Sequence, residues 1–309
     1  MVTMFTLYGL WRSRVKKRVL IIGLIMGTMG FFQKAMAGDD YIEVYSAFTN
    51  GKRVFVEGRV VDVKDKKTKE SNVFSAFIND ERKNVEVTLS VGENVYVDKS
   101  DSEGYFLFDV ETKSVLKQMQ TVTLQTKDEK SLQELFLYYP SSKKHIGVIS
   151  DFDDTVVVSD VTKKVKLLYN TFFKSYKKRE IIPEVEKHIK EVLKENNSTE
   201  QSALFIISGS PYQLTYAINN FLDFHNFPKR AVLTKKVHGE KKDFLLASVA
   251  YKYDKIVRLI EMYPQINWVL FGDSGEKDKE IYLKVKKQYP SRIGTIYIRD
   301  VESKKVEAL

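Results

Sequence analysis

Two aspartates that follow a short apolar run are the residues of this sequence best suited to chemistry. Asp151 and Asp153 come directly after residues 146–149, which have the composition of a buried β-strand. Side chains two apart in an extended chain point the same way, so both carboxylates would face one site. Carboxylates this close repel each other unless they share a proton or bind a cation. A hard divalent ion such as Mg2+ prefers carboxylate and phosphate oxygens, so the pattern indicates a phosphoryl-transfer site.

Two alternatives to this interpretation exist. Paired aspartates after a strand are also typical of a solvated turn, and the residues alone leave that alternative open. A calcium-binding loop that starts at Asp151 needs Gly at its sixth position and Glu at its twelfth. Those positions hold Val156 and Thr162, so the calcium loop is excluded.

Two further segments carry functional side chains after other predicted strands. Residues 208–211 read Ser-Gly-Ser-Pro before a predicted helix, and a hydroxyl with backbone N–H groups at a helix N-terminus suits phosphate oxygens. The same four residues also form an ordinary turn and helix cap. Residues 272–278 carry Asp273 and Asp278, a third and a fourth carboxylate. The ligand crevice of a parallel sheet lies beyond the carboxyl ends of its strands, so we expect these segments to meet Asp151.

A cation would complete such a site, and one predicted helix offers two candidates. Lys252 and Lys255 lie one turn apart on the helix predicted for residues 244–263. Lysines on amphipathic helices are mostly solvated, so spacing alone selects neither. If Lys252 occupies the site, we expect the charge of Lys255 to be solvated.

The elements that must position these residues begin at residue 144. Apolar strand-like runs alternate there with longer amphipathic segments, which predicts an α/β fold with a parallel sheet. The predicted strands cover residues 146–149, 203–207, 231–234, 268–271 and 295–298. The predicted helices cover residues 183–195, 212–225, 244–263 and 277–289. Pro183 suits a first helical turn, and Pro264 and Pro290 close the last two helices.

Residues 38–143 have a different pattern, in which β-prone runs alternate with turn-rich or charged stretches. The runs at residues 54–63, 73–78, 85–91, 105–110 and 120–126 predict a small all-β sandwich domain. This half contains no catalytic constellation, so we interpret it as a structural or interaction module.

The whole-chain composition is that of a globular protein long enough for two domains. The chain has 309 residues, 43% of them hydrophobic, and a formal charge of +9. Residues 1–37 hold six of the 50 basic residues and none of the 41 acidic ones, which leaves a net charge of only +3 elsewhere. That charge supports no nucleic-acid partner. The lack of cysteine excludes disulfides, thiolate metal sites and cysteine nucleophiles.

The N-terminal segment has the features of a secretory signal peptide. A basic cluster at residues 12–18 precedes an apolar stretch at residues 19–32, and Ala35-Met36-Ala37 has the small-x-small pattern of a cleavage site. Fourteen apolar residues are short for a spanning helix, which needs about 20. We therefore expect cleavage after Ala37 and export to the periplasm or the medium, with an uncleaved inner-membrane anchor as the alternative.

The site residues resemble a known family. The order of Asp-x-Asp-x-Thr, a strand-end serine, a helical lysine and Gly-Asp-x-x-x-x-Asp matches the four motifs of the haloacid dehalogenase superfamily, here at Asp151, Asp153, Thr155, Ser208, Lys252, Asp273 and Asp278. The stretches SDFDDTVVVSDV, SGSPYQL, FGDSGEKDKEIY and IYIRDV resemble the catalytic domain of the actin-patch-associated phosphatidate phosphatases, relatives of the lipins, over residues 145–302. A β-rich region before that domain also resembles the family's layout.

Departures from the family pattern are small. Phe152 stands where Ile is more usual, and Gly209 stands where Ala is common. The family's lysine lies 21 residues before the aspartate of Gly-Asp and four before an Ile. Lys252 meets both conditions, with Asp273 and Ile256, which favours it over Lys255.

The resemblance implies a haloacid dehalogenase-like fold with a Rossmann-like sheet in residues 144–309, and a role for each site residue. Asp151 would be the nucleophile and form an aspartyl-phosphate, and Asp153 the general acid and base. Mg2+ would be held by Asp151, the backbone carbonyl of Asp153 and Asp273. Asp278 would position Lys252 or a metal-bound water. The phosphoryl group would be bound by Ser208, Gly209 and Lys252, with Thr155 beside them as a support for Asp151.

The substrate is implied by the resemblance alone. It points to phosphatidate, a phospholipid at a membrane surface, which would yield diacylglycerol and phosphate. Residues 162–179, rich in Lys and aromatic side chains, would be an insertion that shapes access to the site. A soluble phosphomonoester is the alternative substrate, and a catalytically silent phospholipid-binding module is the alternative of another class. The sequence identifies no protein partner for the β region.

Overall fold

The computed structural model describes residues 40–62, 80–113, 115–116, 121–127, 131–141, 143–157, 179–196, 201–236 and 244–309. The N-terminal signal at residues 1–37, the strand predicted at residues 73–78 and residues 162–178 of the predicted insertion lie outside the described residues. We call the described residues up to 141 the β-rich part and those from 143 onward the α/β part.

The β-rich part contains two antiparallel sheets. In the first, β2 (Arg53–Asp62) pairs with β1 (Asp40–Thr49), β3 (Asp80–Glu81) and β6 (Tyr105–Glu111). The second has the order β5-β4-β7-β8, with β4 at Glu86–Val91, β5 at Asn94–Lys99, β7 at Thr121–Thr126 and β8 at Leu132–Phe136. Alternate side chains of both sheets, among them Val54, Val56, Leu89 and Leu124, are buried in one shared core.

The α/β part is built on a mixed sheet of order β11-β10-β9-β12-β13-β14 in the described residues. Its strands are β9 (Ile146–Ser150), β10 (Ala203–Pro211), β11 (Ala231–Lys235), β12 (Asn267–Asp273), β13 (Ile293–Arg299) and β14 (Val306–Ala308). The first five in this spatial order are parallel, as predicted, whereas the unpredicted β14 is antiparallel to β13 and makes the sheet mixed.

Helices cover both faces of this sheet, close to their predicted bounds. They are α1 (Pro183–Lys194), α2 (Thr215–Phe224), α3 (Phe244–Met262) and α4 (Asp278–Gln288). The predicted helix start at Tyr212 is instead a 3₁₀ turn, Tyr212–Leu214. Apolar side chains of α1 and α2 share one core, and those of α3 and α4 share another. No helix in the described part of the chain is both long and apolar enough to cross a membrane.

The β-rich part and the α/β part share a hydrophobic core. Phe48 and Phe55 of the first sheet belong to the same buried cluster as Phe205 of β10, and the Phe48 and Phe205 ring centroids are 5.2 Å apart. The Tyr138 hydroxyl donates a hydrogen bond to the Ser202 carbonyl at 2.8 Å. The first sheet therefore covers the α3 side of the α/β sheet.

Candidate active site

The carboxyl edge of the mixed sheet gathers the residues that the sequence singled out. Asp151 follows β9, Asp273 ends β12, and Ser208 lies in β10 just beyond its pairing with β9; these are three neighbouring parallel strands. Asp151 directly follows β9, and its N–H donates to the Phe271 carbonyl at 2.8 Å, which continues the pairing with β12. Asp151 is buried, so the parallel strands hold its carboxylate in a fixed place.

Lys252 lies among three carboxylates. Its Nζ is 2.8 Å from Asp151 Oδ1, 2.7 Å from Asp278 Oδ1 and 2.6 Å from Glu276 Oε2. Its side chain is only 2% exposed. Burial alone would lower the pKa of Lys252, but the attraction of Asp151, Asp278 and Glu276 outweighs it and raises that pKa well above its usual value. Lys252 is therefore a fixed positive charge beside Asp151.

Lys255, by contrast, is not solvated, so the expectation from the sequence that its charge faces solvent was wrong. It is buried and its Nζ donates to Glu57 Oε1 on β2 of the β-rich part. The Phe55 ring lies 4.6 Å from the same ammonium group. Sequence periodicity did not indicate this contact, because the first sheet covers the helix face that carries Lys255.

Asp153 is held by the hydroxyls of the Ser-Gly-Ser-Pro loop. Ser208 Oγ donates to Asp153 Oδ2 at 3.3 Å and Ser210 Oγ donates to the same oxygen at 3.1 Å, with Gly209 between them in the chain. Asp153 Oδ1 is buried without a hydrogen-bond partner among the described residues. Burial raises the pKa of Asp153 to about 6, although the Arg179 guanidinium opposes the shift. A carboxyl group with this pKa, and with one oxygen that has no hydrogen-bond partner in the described residues, is suited to carry a proton.

The next residue, Asp154, has a φ of 53°, in the left-handed region. Its carbonyl accepts a hydrogen bond of 2.7 Å from Arg299 Nη1 on β13. This contact anchors the turn that directs Asp153 toward the serines.

Thr155 lies between two carboxylates. Its hydroxyl is 3.4 Å from Asp151 Oδ2 and 3.5 Å from Asp273 Oδ2. Asp273 Oδ1 accepts hydrogen bonds from the N–H groups of Gly275 and Glu276, at 2.6 and 3.0 Å. Burial, then the nearby Asp278 charge, raises the pKa of Asp273 to about 7. Burial likewise raises the pKa of Asp151 well above its usual value, and the Lys252 ammonium only partly offsets this.

This acidic cluster fits a hard divalent cation. One oxygen from each of Asp151, Glu276 and Asp278 lies within 4.8 Å of the other two, but Lys252 Nζ contacts one oxygen of each of these residues. Asp151 Oδ2 and Asp273 Oδ2 flank the Thr155 hydroxyl, and the Asp151 oxygen that contacts Lys252 is the other one, Oδ1. Carboxylate oxygens are the donors that a hard divalent ion takes, so these two oxygens are available to such an ion while Lys252 keeps its own contacts.

Both carboxylate oxygens of Asp278 contact neighbouring residues of the site. Its Oδ1 contacts Lys252, and its Oδ2 accepts a hydrogen bond of 3.3 Å from the Asp273 N–H. A Cβ at Gly272 would lie 2.6 Å from Asp278 Cβ, so the glycine makes room for this carboxylate.

Among the residues at or near the site, Glu276, Ser210 and Glu57 were not singled out from the sequence. Glu276 lies inside the predicted Gly-Asp motif, and Ser210 lies two residues after Ser208, a spacing that indicates a shared side of an extended segment. Glu57 gave no signal, because it belongs to the β-rich part and approaches only through tertiary packing.

Comparison with known proteins assigns the chain to a family. Residues 146–300, half of the chain, match the family model of the phosphatidate phosphatase APP1 catalytic domain. The chain therefore belongs to this family, which confirms the resemblance seen in its motifs.

Two curated relatives are similar to the chain over part of their length. Phosphatidate phosphatase APP1 of Saccharomyces cerevisiae is 28% identical over 204 residues, which are 65% of this chain and 34% of that protein. An uncharacterized protein of Schizosaccharomyces pombe is 28% identical over 209 residues, with the same shares. The chain thus spans 34% of the length of these relatives. A solved carbohydrate esterase aligns over 85% of this chain and 89% of its own at 11% identity, but its TM-score of 0.23 is too low to indicate a shared fold.

Proposed function

We propose that this protein is a Mg2+-dependent phosphatidate phosphatase with a haloacid dehalogenase-like catalytic fold. The observation that carries the proposal is the contact of the buried Lys252 with Asp151 at the carboxyl edge of the sheet, inside the region that matches the family model. The printed name of the Saccharomyces cerevisiae relative supports phosphatidate as substrate. The products would be diacylglycerol and inorganic phosphate.

In the proposed first step, Asp151 attacks phosphorus. Oδ1 lies against Lys252, which stabilises the carboxylate form and would then neutralise charge on the phosphoryl group. The new bond joins this oxygen to phosphorus as the bond to the glycerol oxygen breaks. Asp153 would give its proton, held at Oδ1, to that departing oxygen.

In the proposed second step, water replaces Asp151 on phosphorus. Asp153, now ionised, takes a proton from the water, while the Ser208 and Ser210 hydroxyls keep its Oδ2 in place. Asp151 Oδ2 and Asp273 Oδ2 would hold Mg2+, with the Asp153 backbone carbonyl as the further ligand that the resemblance implies. The bound ion supplies positive charge that offsets carboxylate repulsion and stabilises the phosphoryl oxygens.

The experiment compares phosphate release from phosphatidate in mixed micelles with release from soluble phosphomonoesters. We expect the purified protein with Mg2+ to prefer phosphatidate, and Asp151→Asn, which keeps the side-chain size, to be inactive. Faster phosphate release from a soluble ester than from phosphatidate would show that soluble phosphomonoesters are the substrate class. Wild-type protein that binds phosphatidate vesicles without releasing phosphate would instead establish a silent binding module.

We also propose that residues 1–37 direct export, so that the enzyme acts at a membrane surface outside the cytoplasm. The basic cluster, the short apolar stretch and Ala35-Met36-Ala37 support this location.

A further inference from the structure

Glu57, in the middle of β2, contacts two elements of the active site. Its Oε1 accepts hydrogen bonds from Lys255 Nζ and, at 3.2 Å, from the Tyr212 hydroxyl. Tyr212 immediately follows the loop at residues 208–211, and Lys255 lies one turn after Lys252 on α3. One carboxylate oxygen of the β-rich part therefore links the serine loop to the helix that carries the active-site lysine.

Both partners of Glu57 are themselves fixed by aromatic rings. The Tyr212 ring stacks on Tyr45 of β1, with centroids 5.0 Å apart and planes 3° from parallel. The Lys255 ammonium lies 4.6 Å from the centre of the Phe55 ring. These rings leave little freedom to Tyr212 or Lys255, so the position of Glu57 is transmitted to the backbone on both sides.

The loop and the helix are also joined by a second chain of hydrogen bonds. The Tyr251 hydroxyl on α3 donates to the Thr234 carbonyl, and the Thr234 and Thr215 hydroxyls are 2.5 Å apart. Thr215 Oγ1 donates to the Tyr212 carbonyl at 2.7 Å. A continuous network thus runs from α3 to Tyr212, and Glu57 closes it.

A role in stability alone explains Glu57 poorly. Its Oε2 is buried without a hydrogen-bond partner among the described residues. A buried ion pair with an unsatisfied oxygen is no more stabilising than apolar residues of similar volume, but it does impose direction on its partners. We propose that Glu57 is a positioning residue, which sets the separation between the serine loop and Lys252; this rests on the phosphatase function proposed above.

The test uses Glu57→Gln, Tyr212→Phe and the matched control Asp109→Asn. Asp109 forms another ion pair between the β-rich part and α3, with Arg258, whereas the hydrogen bond of the Tyr212 hydroxyl in the described residues is to Glu57. We expect kcat per folded molecule to fall at least about tenfold in Glu57→Gln with a smaller change in KM, because sub-ångström misplacement of catalytic groups slows turnover. Tyr212→Phe should lose part of the rate, and adding it to Glu57→Gln should cost little more. Asp109→Asn should keep kcat within about twofold of wild type.

A second readout does not depend on activity. Backbone amide hydrogen exchange in residues 208–214 should be faster in Glu57→Gln than in wild type and unchanged in Asp109→Asn. Unchanged exchange in Glu57→Gln, or a wild-type kcat, overturns the positioning role. Should the wild type release no phosphate from any ester, the proposed function fails, whereas faster exchange in Glu57→Gln still supports the link.

A further variant guards against loss of the fold. Glu57→Leu combined with Lys255→Met replaces the buried pair with apolar side chains of similar size and leaves no buried charge without a partner. We expect this double variant to fold and still to show the tenfold lower kcat and the faster exchange at residues 208–214. A folded double variant with wild-type kcat overturns the proposal.

Discussion

At the scale of single residues, two lysines one helical turn apart have different surroundings and different roles. Lys252 lies among Asp151, Asp278 and Glu276, whereas Lys255 lies against Glu57. Both are buried, so burial alone does not distinguish an active-site lysine from a structural one. What distinguishes them is the carboxylate that each faces.

Replacing each lysine with methionine should separate these roles. A lost charge-assisted contact costs about 1.5–3 kcal/mol, so Lys252→Met should lower turnover by about 10- to 160-fold or more. Lys255→Met leaves Glu57 buried without its cation and should lower the free energy of unfolding by about 3–5 kcal/mol. Phosphate-release rates and chemical denaturation measure the two effects. A Lys255→Met protein as stable as wild type would contradict the buried ion pair.

Asp151 and its neighbouring carboxylates predict strict dependence on a divalent cation. Without one, Asp151 and Asp273 repel each other, so a chelator should abolish phosphate release and added Mg2+ should restore it. Asp151→Asn should lose at least about a thousandfold in kcat, because an amide oxygen is a poor nucleophile. Turnover that persists in excess chelator would exclude the proposed role of the ion.

At the scale of elements, sequence analysis succeeded where one residue pattern determined one structure. The buried parallel strands are continuous apolar runs, and the helices have clear amphipathic periods and prolines near their ends. Chemistry-bearing residues at strand ends could be placed together because parallel strands share one carboxyl edge.

Strands that are exposed to solvent or lie at the edge of a sheet, such as β5 and β14, were not predicted from the sequence. In β5, Val95 and Val97 are exposed, so the strand lacks the inward apolar face that marks a half-buried strand. Glu57 and Lys255 meet through packing between residues 198 positions apart, which no local pattern encodes. Their burial therefore required the tertiary structure.

The turn after β12 offers a test of how closely its elements pack. A Cβ at Gly272 would lie 2.6 Å from Asp278 Cβ and 2.8 Å from the Tyr282 ring. Gly272→Ala should displace Asp278 from Lys252, lower stability by about 1–3 kcal/mol and reduce turnover. Gly294→Ala on neighbouring β13 is the matched control, since its nearest atom would be a carbonyl oxygen at 3.6 Å. Equal activity in both variants would show that the Asp278 position is not critical.

At the scale of the whole molecule, the proposed export makes a prediction about the mature chain. If cleavage follows Ala37, protein isolated from its native host should begin at Gly38. N-terminal sequencing and intact mass measure this directly. A mature protein that keeps residues 1–37 and fractionates with membranes would favour the uncleaved anchor.

The core shared by the β-rich and α/β parts predicts a single cooperative unfolding transition. After removal of residues 1–37, Trp268 is the only tryptophan, and it lies in the same cluster as Phe48 and Phe55. Its fluorescence and far-ultraviolet circular dichroism should therefore change at the same denaturant concentration. Two separated transitions would mean that the parts unfold independently.

Because of the same packing, the β-rich part covers one face of the α/β sheet. A fragment that begins at residue 144 would expose the face of the sheet around Phe205, which Phe48 and Tyr138 cover in the full chain. Exposed apolar surface of this kind promotes aggregation, so such a fragment should be insoluble even though it contains every proposed catalytic residue. Proteolysis that removes the β-rich part should therefore abolish the proposed activity irreversibly, although every proposed catalytic residue remains intact.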